Sequence, residues 1–140
     1  HPLREFTLLD RLQSSPIFDS PEVVAHYCRR LVRSEQRTCQ CLALSKSYRL
    51  VHQKTVAVGT LTDILLHPAN IFSLLINHNA YGFILAQNHP LGPKEPDQQD
   101  RELTLRLVEC SKLLQIPFYD HVILSPEGYY SLREQTDLWE

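Results

Sequence analysis

Gln87-Asn88-His89-Pro90-Leu91-Gly92, leaving the apolar run from Tyr81 to Ala86 and followed by Asp97-Gln98-Gln99-Asp100, decides how this chain is read. A short run with no polar alternation is the pattern of a central strand covered on both faces. The polar turn therefore leaves the end of a buried strand, where loops held by a rigid scaffold commonly carry function. Here it offers an imidazole from His89, an amide from Gln87 and carboxylates from Asp97 and Asp100.

Outward from this stretch the pattern alternates. Thr38 to Leu44 and Arg49 to Val58 read as two strands joined by the polar turn Ser45-Lys46-Ser47-Tyr48, with Lys54 on the second. Ser20 before Pro21 predicts a helix start with an apolar stripe of Val24, Cys28, Leu31 and Val32, ending near Arg33. Residues 1–20 are expected to form an arm or short helix around Phe6, Leu8, Leu9 and Leu12, and residues 21–140 the domain proper. Pro68 starts a second helix with Ile71, Leu74, Leu75 and His78, and Asp97 to Leu114 predicts a third with Leu103, Leu107, Cys110 and Leu114 on one face. Pro117 to Leu124 and Tyr129 to Leu132 close as a hairpin around Ser125-Pro126-Glu127-Gly128, where glycine takes the positive φ of the turn. The order argues for an α/β fold with a mixed sheet flanked by helices.

Composition excludes several classes. A chain of 140 residues with 43% hydrophobic residues is the size of one domain with one core. A net charge of −2, from 14 basic and 16 acidic residues mixed along the sequence, gives no electrostatic case for binding nucleic acid or a membrane surface. The longest apolar runs fall far short of the roughly 18 residues a membrane span needs, and no signal peptide is visible, so a cytoplasmic protein is expected. The chain opens on His1-Pro2 without an initiator Met, as a fragment or processed chain does. Arg29, Arg30, Arg33 and Arg37 fit cations favoured by a helix C-terminus and by solvent better than a phosphate site. Four unevenly placed cysteines make no disulfide framework; Cys39 and Cys41 point to one side of a strand and read as reduced core thiols.

Taken together, Ser20-Pro21-Glu22-Val23-Val24, Arg49-Leu50-Val51, Gly59-Thr60-Leu61, His67-Pro68-Ala69-Asn70-Ile71-Phe72, Asn88-His89-Pro90, Leu113-Leu114, Asp120-His121-Val122-Ile123 and Glu127-Gly128-Tyr129-Tyr130-Ser131 resemble the bacterial RadC family, from about Ser20 to the C-terminus. The core of that family is a JAB/MPN domain of the JAMM metallopeptidase type, which implies a three-layer, cytidine-deaminase-like architecture. It also implies a site in which His-x-His-Pro-x-Gly and Ser-x-x-Asp supply two imidazoles and a carboxylate to zinc, with an open water position. The first imidazole is replaced by Gln87, the motif serine by Asp97, and the catalytic glutamate by Lys54. His89 and Asp100 remain. Relatives often carry a helix-hairpin-helix segment upstream.

The resemblance thus makes His89, Asp100 and Gln87 a weak or lost metal site, and Lys54 and Asp97 altered positions that do no catalysis. Zinc is doubtful. Each residue also has a structural reading: Asp97 as a helix cap, Asp100 in the first turn as cap or ligand, His89 as a hydrogen-bonded turn residue. Asp120 beside His121 suggests a buried imidazole oriented by a carboxylate or backbone group, and His52 is the one spare imidazole on the side of Lys54. Lys54 is expected to reach Asp97 or Asp100 in an internal ion pair. The implied function is a catalytically impaired domain acting as a scaffold or binding module for a protein or peptide, as a homodimer or paired with a related domain. An active zinc peptidase or isopeptidase with an altered ligand set is the alternative, and a DNA-repair accessory or nuclease role a more distant one.

Overall fold

The structure is a computed structural model, and it describes residues 16–30, 34–59 and 66–140. The expected arm around Phe6, Leu8, Leu9 and Leu12, and residues 31–33 of the first expected helix, lie outside the described residues. Helix α1 runs Pro21–Tyr27, with the Ser20 side chain accepting from the Val23 N–H at 3.4 Å. It ends earlier than the stripe through Arg33 suggests: Cys28 is already its C-cap, at φ −95° and ψ 11°. Beyond it the backbone tightens into a 3₁₀ turn at Arg29 and Arg30, a common way for an α-helix to end.

Strands β1 (Thr38–Leu44) and β2 (Leu50–Val58) follow, then α2 (Pro68–Asn77), β3 (Gly82–Asn88), α3 (Gln98–Leu114), β4 (Phe118–Ser125), β5 (Gly128–Ser131) and α4 (Leu132–Gln135). The sheet order is β2-β1-β3-β4-β5. Only β3 and β4 are parallel; the other neighbours are antiparallel. A parallel pair needs a long crossover, and α3 is that crossover.

Two layers of helix cover the sheet. On one face α2 and α3 pack Ile71, Leu75, Leu103 and Leu107 against Cys41, Phe83 and Leu85. On the other, Phe18 and Val24 of the α1 side cover Leu42, Leu44, Ile84 and Val122. Cys39 and Cys41 sit in the first of these cores as free thiols, with burial pushing Cys41 up to about 12. The α/β reading and the central place of the Tyr81-to-Ala86 run are therefore correct in outline. Strand β3 runs two residues further than expected, however. Gln87 pairs with Cys39 and Ile123, and the Asn88 side chain receives the Thr38 N–H at 2.6 Å. The hairpin strand expected through Leu132 stops at Ser131, whose hydroxyl instead caps α4 by accepting from the Glu134 N–H at 3.2 Å.

Two irregularities share one corner of the sheet. In the β3/β4 ladder Phe83 faces Phe118 but Ile84 faces Asp120, so Tyr119 is an extra residue in a bulge, a device that re-aims a side chain. Its ring lies on Gly82, where a Cβ would come within 2.6 Å of Tyr119 Cε2 and 2.8 Å of the Pro117 carbonyl oxygen. That carbonyl also accepts the Phe83 N–H at 2.9 Å and cannot easily retreat. Gly82→Ala should consequently lower stability by about 1–3 kcal/mol, as overpacking does. Denaturant unfolding checks this, and an unchanged midpoint would show that the corner is loose.

Candidate functional site

Gln87 ends on the same sheet face as α3, and its amide is the centre of a buried network. Gln87 Nε2 donates to Asp100 Oδ1 at 3.0 Å and lies 3.1 Å from His89 Nε2. Gln87 Oε1 lies 2.7 Å from His121 Nε2. His89 Nδ1 contacts the Pro93 carbonyl at 2.9 Å, which places its proton on Nδ1 and leaves the Nε2 lone pair to receive the second amide proton. The loop is pinned by the His89 N–H, which donates to the Leu124 carbonyl at 2.7 Å.

Asp100 is held from both sides. Its Oδ2 accepts the Asp97 N–H at 2.9 Å while Asp97 Oδ1 accepts the Asp100 N–H at 2.8 Å, a reciprocal capping box that starts α3. Burial pushes the Asp100 carboxyl up, but hydrogen bonds from the Asp97 N–H and the Gln87 amide hold it well below the usual carboxylate range. Asp97 is thus the N-cap, and its Oδ2 receives Arg37 at 3.3 Å.

Protons can be counted along the chain from His121 to Asp100. Burial depresses His121 to about 4, so the ring carries one N–H near neutrality. With that proton on Nε2 toward Gln87 Oε1, Nδ1 accepts the Thr104 hydroxyl at 2.7 Å. The same hydroxyl is 2.7 Å from the Asp100 carbonyl and has only one proton to give. Turning the Gln87 amide resolves this: Nε2 would then donate to His121, His121 Nδ1 to Thr104, and Thr104 to the Asp100 carbonyl. The turned amide would aim three electron-rich atoms, from Gln87, His89 and Asp100, at one point.

As the side chains stand they do not fit zinc. The amide nitrogen has no lone pair to offer, and its two protons occupy the remaining ligands. Among the described residues no three His, Cys, Asp or Glu side chains gather to hold a metal. Of the five positions singled out from sequence, the structure brings together Gln87, His89, Asp97 and Asp100. Lys54 is not with them. It shares the face, pairing with Cys41, but it is exposed in a groove beside His67, Asn70 and Asn77, and no ion pair joins it to Asp97 or Asp100. The expected internal ion pair is therefore wrong: the Gln87 amide already fills the carboxylate's needs at no charge-desolvation cost. His52 does not compensate either, since it stacks on His78 at 3.8 Å and 13°. His121 is oriented by an amide and a hydroxyl rather than a carboxylate. Thr104 escaped the sequence reading, although its place one turn after Asp100 was the available signal.

The neighbouring Asp120 points to the opposite face. Burial pushes it up to about 6 despite hydrogen bonds from Ser131 Oγ and the N–H groups of Arg133 and His121, with Glu134 adding repulsion.

A five-stranded mixed sheet between helices, with an imidazole leaving its central strand and a carboxylate in the next helix's first turn, is a JAB/MPN-type domain. The RadC-like JAB domain family model matches residues 18–137, and the chain belongs to that family. It is 36% identical over 120 residues to a UPF0758 protein of Thermotoga maritima, covering 86% of this chain and 54% of the relative. UPF0758 proteins of Picosynechococcus sp. and Synechocystis sp. are 38% and 39% identical over 125 residues, covering 89% of this chain and 51% of each relative. The chain spans about half the length of these curated relatives.

Two outcomes follow. Gln87→Leu leaves Asp100 Oδ1, His89 Nε2 and His121 Nε2 without partners, and at about 1–3 kcal/mol for each orphaned buried group should cost roughly 3 kcal/mol or more; a loss under about 1 kcal/mol in denaturant unfolding would contradict the network. For Asp120 the folded-state value exceeds the ordinary 3.8, so its contribution is full below that pH and is lost as pH rises through about 6. Asp120→Asn mimics the protonated group. It should match the parent near pH 4 and exceed it near pH 8, by up to roughly 3 kcal/mol; parallel stability curves would exclude the shift.

Proposed function

We propose that this domain is a RadC-like JAB domain whose metal position is closed by its own Gln87 side chain, and that it serves as a binding module or scaffold for a protein or peptide rather than as a hydrolase. The observation that carries this reading is the Gln87 amide nitrogen, 3.0 Å from Asp100 Oδ1 and 3.1 Å from His89 Nε2. A hydrolytic site of this type needs a metal to acidify water and a carboxylate to take its proton. Here one neutral side chain occupies the ligands and a lysine stands at the base position. Absence of a positioned base alone costs about 10²- to 10⁴-fold.

A second reading is favoured by one set of distances. His89 Nε2 and Asp100 Oδ2 lie 3.3 Å apart, near the roughly 3.3 Å edge of a tetrahedron built on zinc–ligand bonds of about 2.0–2.1 Å. With the amide turned, Gln87 would present its oxygen to complete the set, and the domain would hold zinc weakly.

Metal analysis and calorimetry decide between them. The parent should hold negligible zinc and leave isopeptide and peptide substrates uncleaved. Gln87→His should raise zinc affinity above the parent by supplying the second imidazole, whereas Lys54→Glu alone should not, since it leaves zinc one imidazole short. About one tightly bound zinc per parent chain, with cleavage, would overturn the closed-site reading. Zinc without cleavage would select the turned amide.

A further inference from the structure

We propose that the cavity between α1, the Tyr48 turn and the first residues of β3 and β4 binds an organic cation with N–H donors on an aliphatic stem, the chemistry of a lysine or arginine side chain. This cavity is on the opposite face of the sheet from Gln87, so the proposal is independent of the metal-site reading.

The cavity has a volume of about 510 Å³. Phe18, Val24 and Ile84 make an apolar floor that suits a methylene stem. Its wall is an aromatic pair, Tyr48 and Tyr119, with ring centroids 5.0 Å apart at 52°. Three carboxyl groups also line it: Asp19 and Glu134 are exposed, and Asp120 is buried beneath them. The basic residue in the lining, Arg133, offsets only one of the three. Its guanidinium donates to the Tyr119 carbonyl at 3.1 Å and sits 6.0 Å from the centroid of the Trp139 ring. The lining therefore carries an excess of negative charge beside two π-faces, and both attract a cation. The accepting oxygens favour a primary ammonium or guanidinium over a quaternary one, which has no N–H to give.

The wall is built, and built against local preference. Tyr119 is aimed into it by the bulge, its ring is admitted because Gly82 has no Cβ, and Tyr48 sits at φ 65°, a left-handed conformation that a bulky side chain rarely adopts. Strain of this kind persists where the surroundings fix it and gathers at functional positions. A bulge, a left-handed residue and a missing Cβ all serve one pair of rings at the mouth of one cavity. Burial and the Tyr48 and Tyr81 rings push the Tyr119 phenol up to about 12, so it remains neutral and adds no charge of its own.

The test is titration of the chain with butylammonium and with butylguanidinium chloride, followed by amide chemical shifts, with butanol at equal concentration and sodium chloride at equal ionic strength as controls. Saturable shifts confined to residues around Phe18, Tyr48, Tyr119 and Glu134 are expected from both cations and from neither control. Glu134→Gln and Tyr48→Gly should each weaken binding about threefold to tenfold. Glycine suits the φ at position 48, so that variant removes the ring without forcing the backbone, and its unfolding midpoint shows that the fold is intact. Blocked Gly-Lys-Gly and Gly-Leu-Gly peptides identify the source: tighter binding of the lysine peptide than of butylammonium assigns a peptide side chain, and weaker binding assigns a free amine. Shifts with butanol equal to those with the cations, no saturation, or unchanged affinity in both variants would overturn the proposal.

Discussion

One side-chain amide, that of Gln87, carries a constraint on which the rest of the site depends. It is the point where β3, the loop through His89, the first turn of α3 and the middle of β4 meet, and it has two donors and one acceptor group to give. Three buried polar side chains from three segments, His89, Asp100 and His121, are satisfied by it, and among the described residues no buried side-chain nitrogen or oxygen lacks a partner. A buried carboxylate usually demands a cation. Asp100 is instead stabilised by amide and backbone N–H groups, which explains why its charge survives at full burial with no lysine or arginine among the described residues paired to it.

Much of the fold was legible, for a physical reason. Strands β1 and β3 are buried on both faces or nearly so, and a run such as Phe83 to Ala86 has no other place to go than the middle of a covered sheet. Ser20-Pro21 and Asp97 announced two helix starts through capping chemistry that acts within three residues. The ends were less legible because they depend on distant partners. β3 extends through Gln87 and Asn88 only because Cys39, Ile123 and Thr38 are there to receive them, and α1 gives way after Tyr27 to a 3₁₀ turn.

The site divides in the same way. That His89, Asp97, Asp100 and Gln87 lie together could be read from spacing and resemblance. What fills the space between them could not, since the choice between the Lys54 ammonium and the Gln87 amide rests on side-chain reach across two strands. Lys54 stands on the correct face but prefers water in the groove along α2, where a flexible charged chain keeps its hydration. His121 was visible as a buried ring, while its partners, an amide from one strand and a hydroxyl from a helix, required the third dimension.

The crossover through α3 sets the order in which these contacts become available. Gln87 meets Asp100 over 13 residues and His121 over 34, so the network closes only once the helix has packed and the parallel strand has docked. Loop closure of that span must be complete before the hydrogen bonds are rewarded. Interactions that form so late contribute little to the rate of arrival at the native state and much to the rate of leaving it. The Gln87 amide thus also acts as a latch on the folded domain, slowing its opening rather than hastening its assembly.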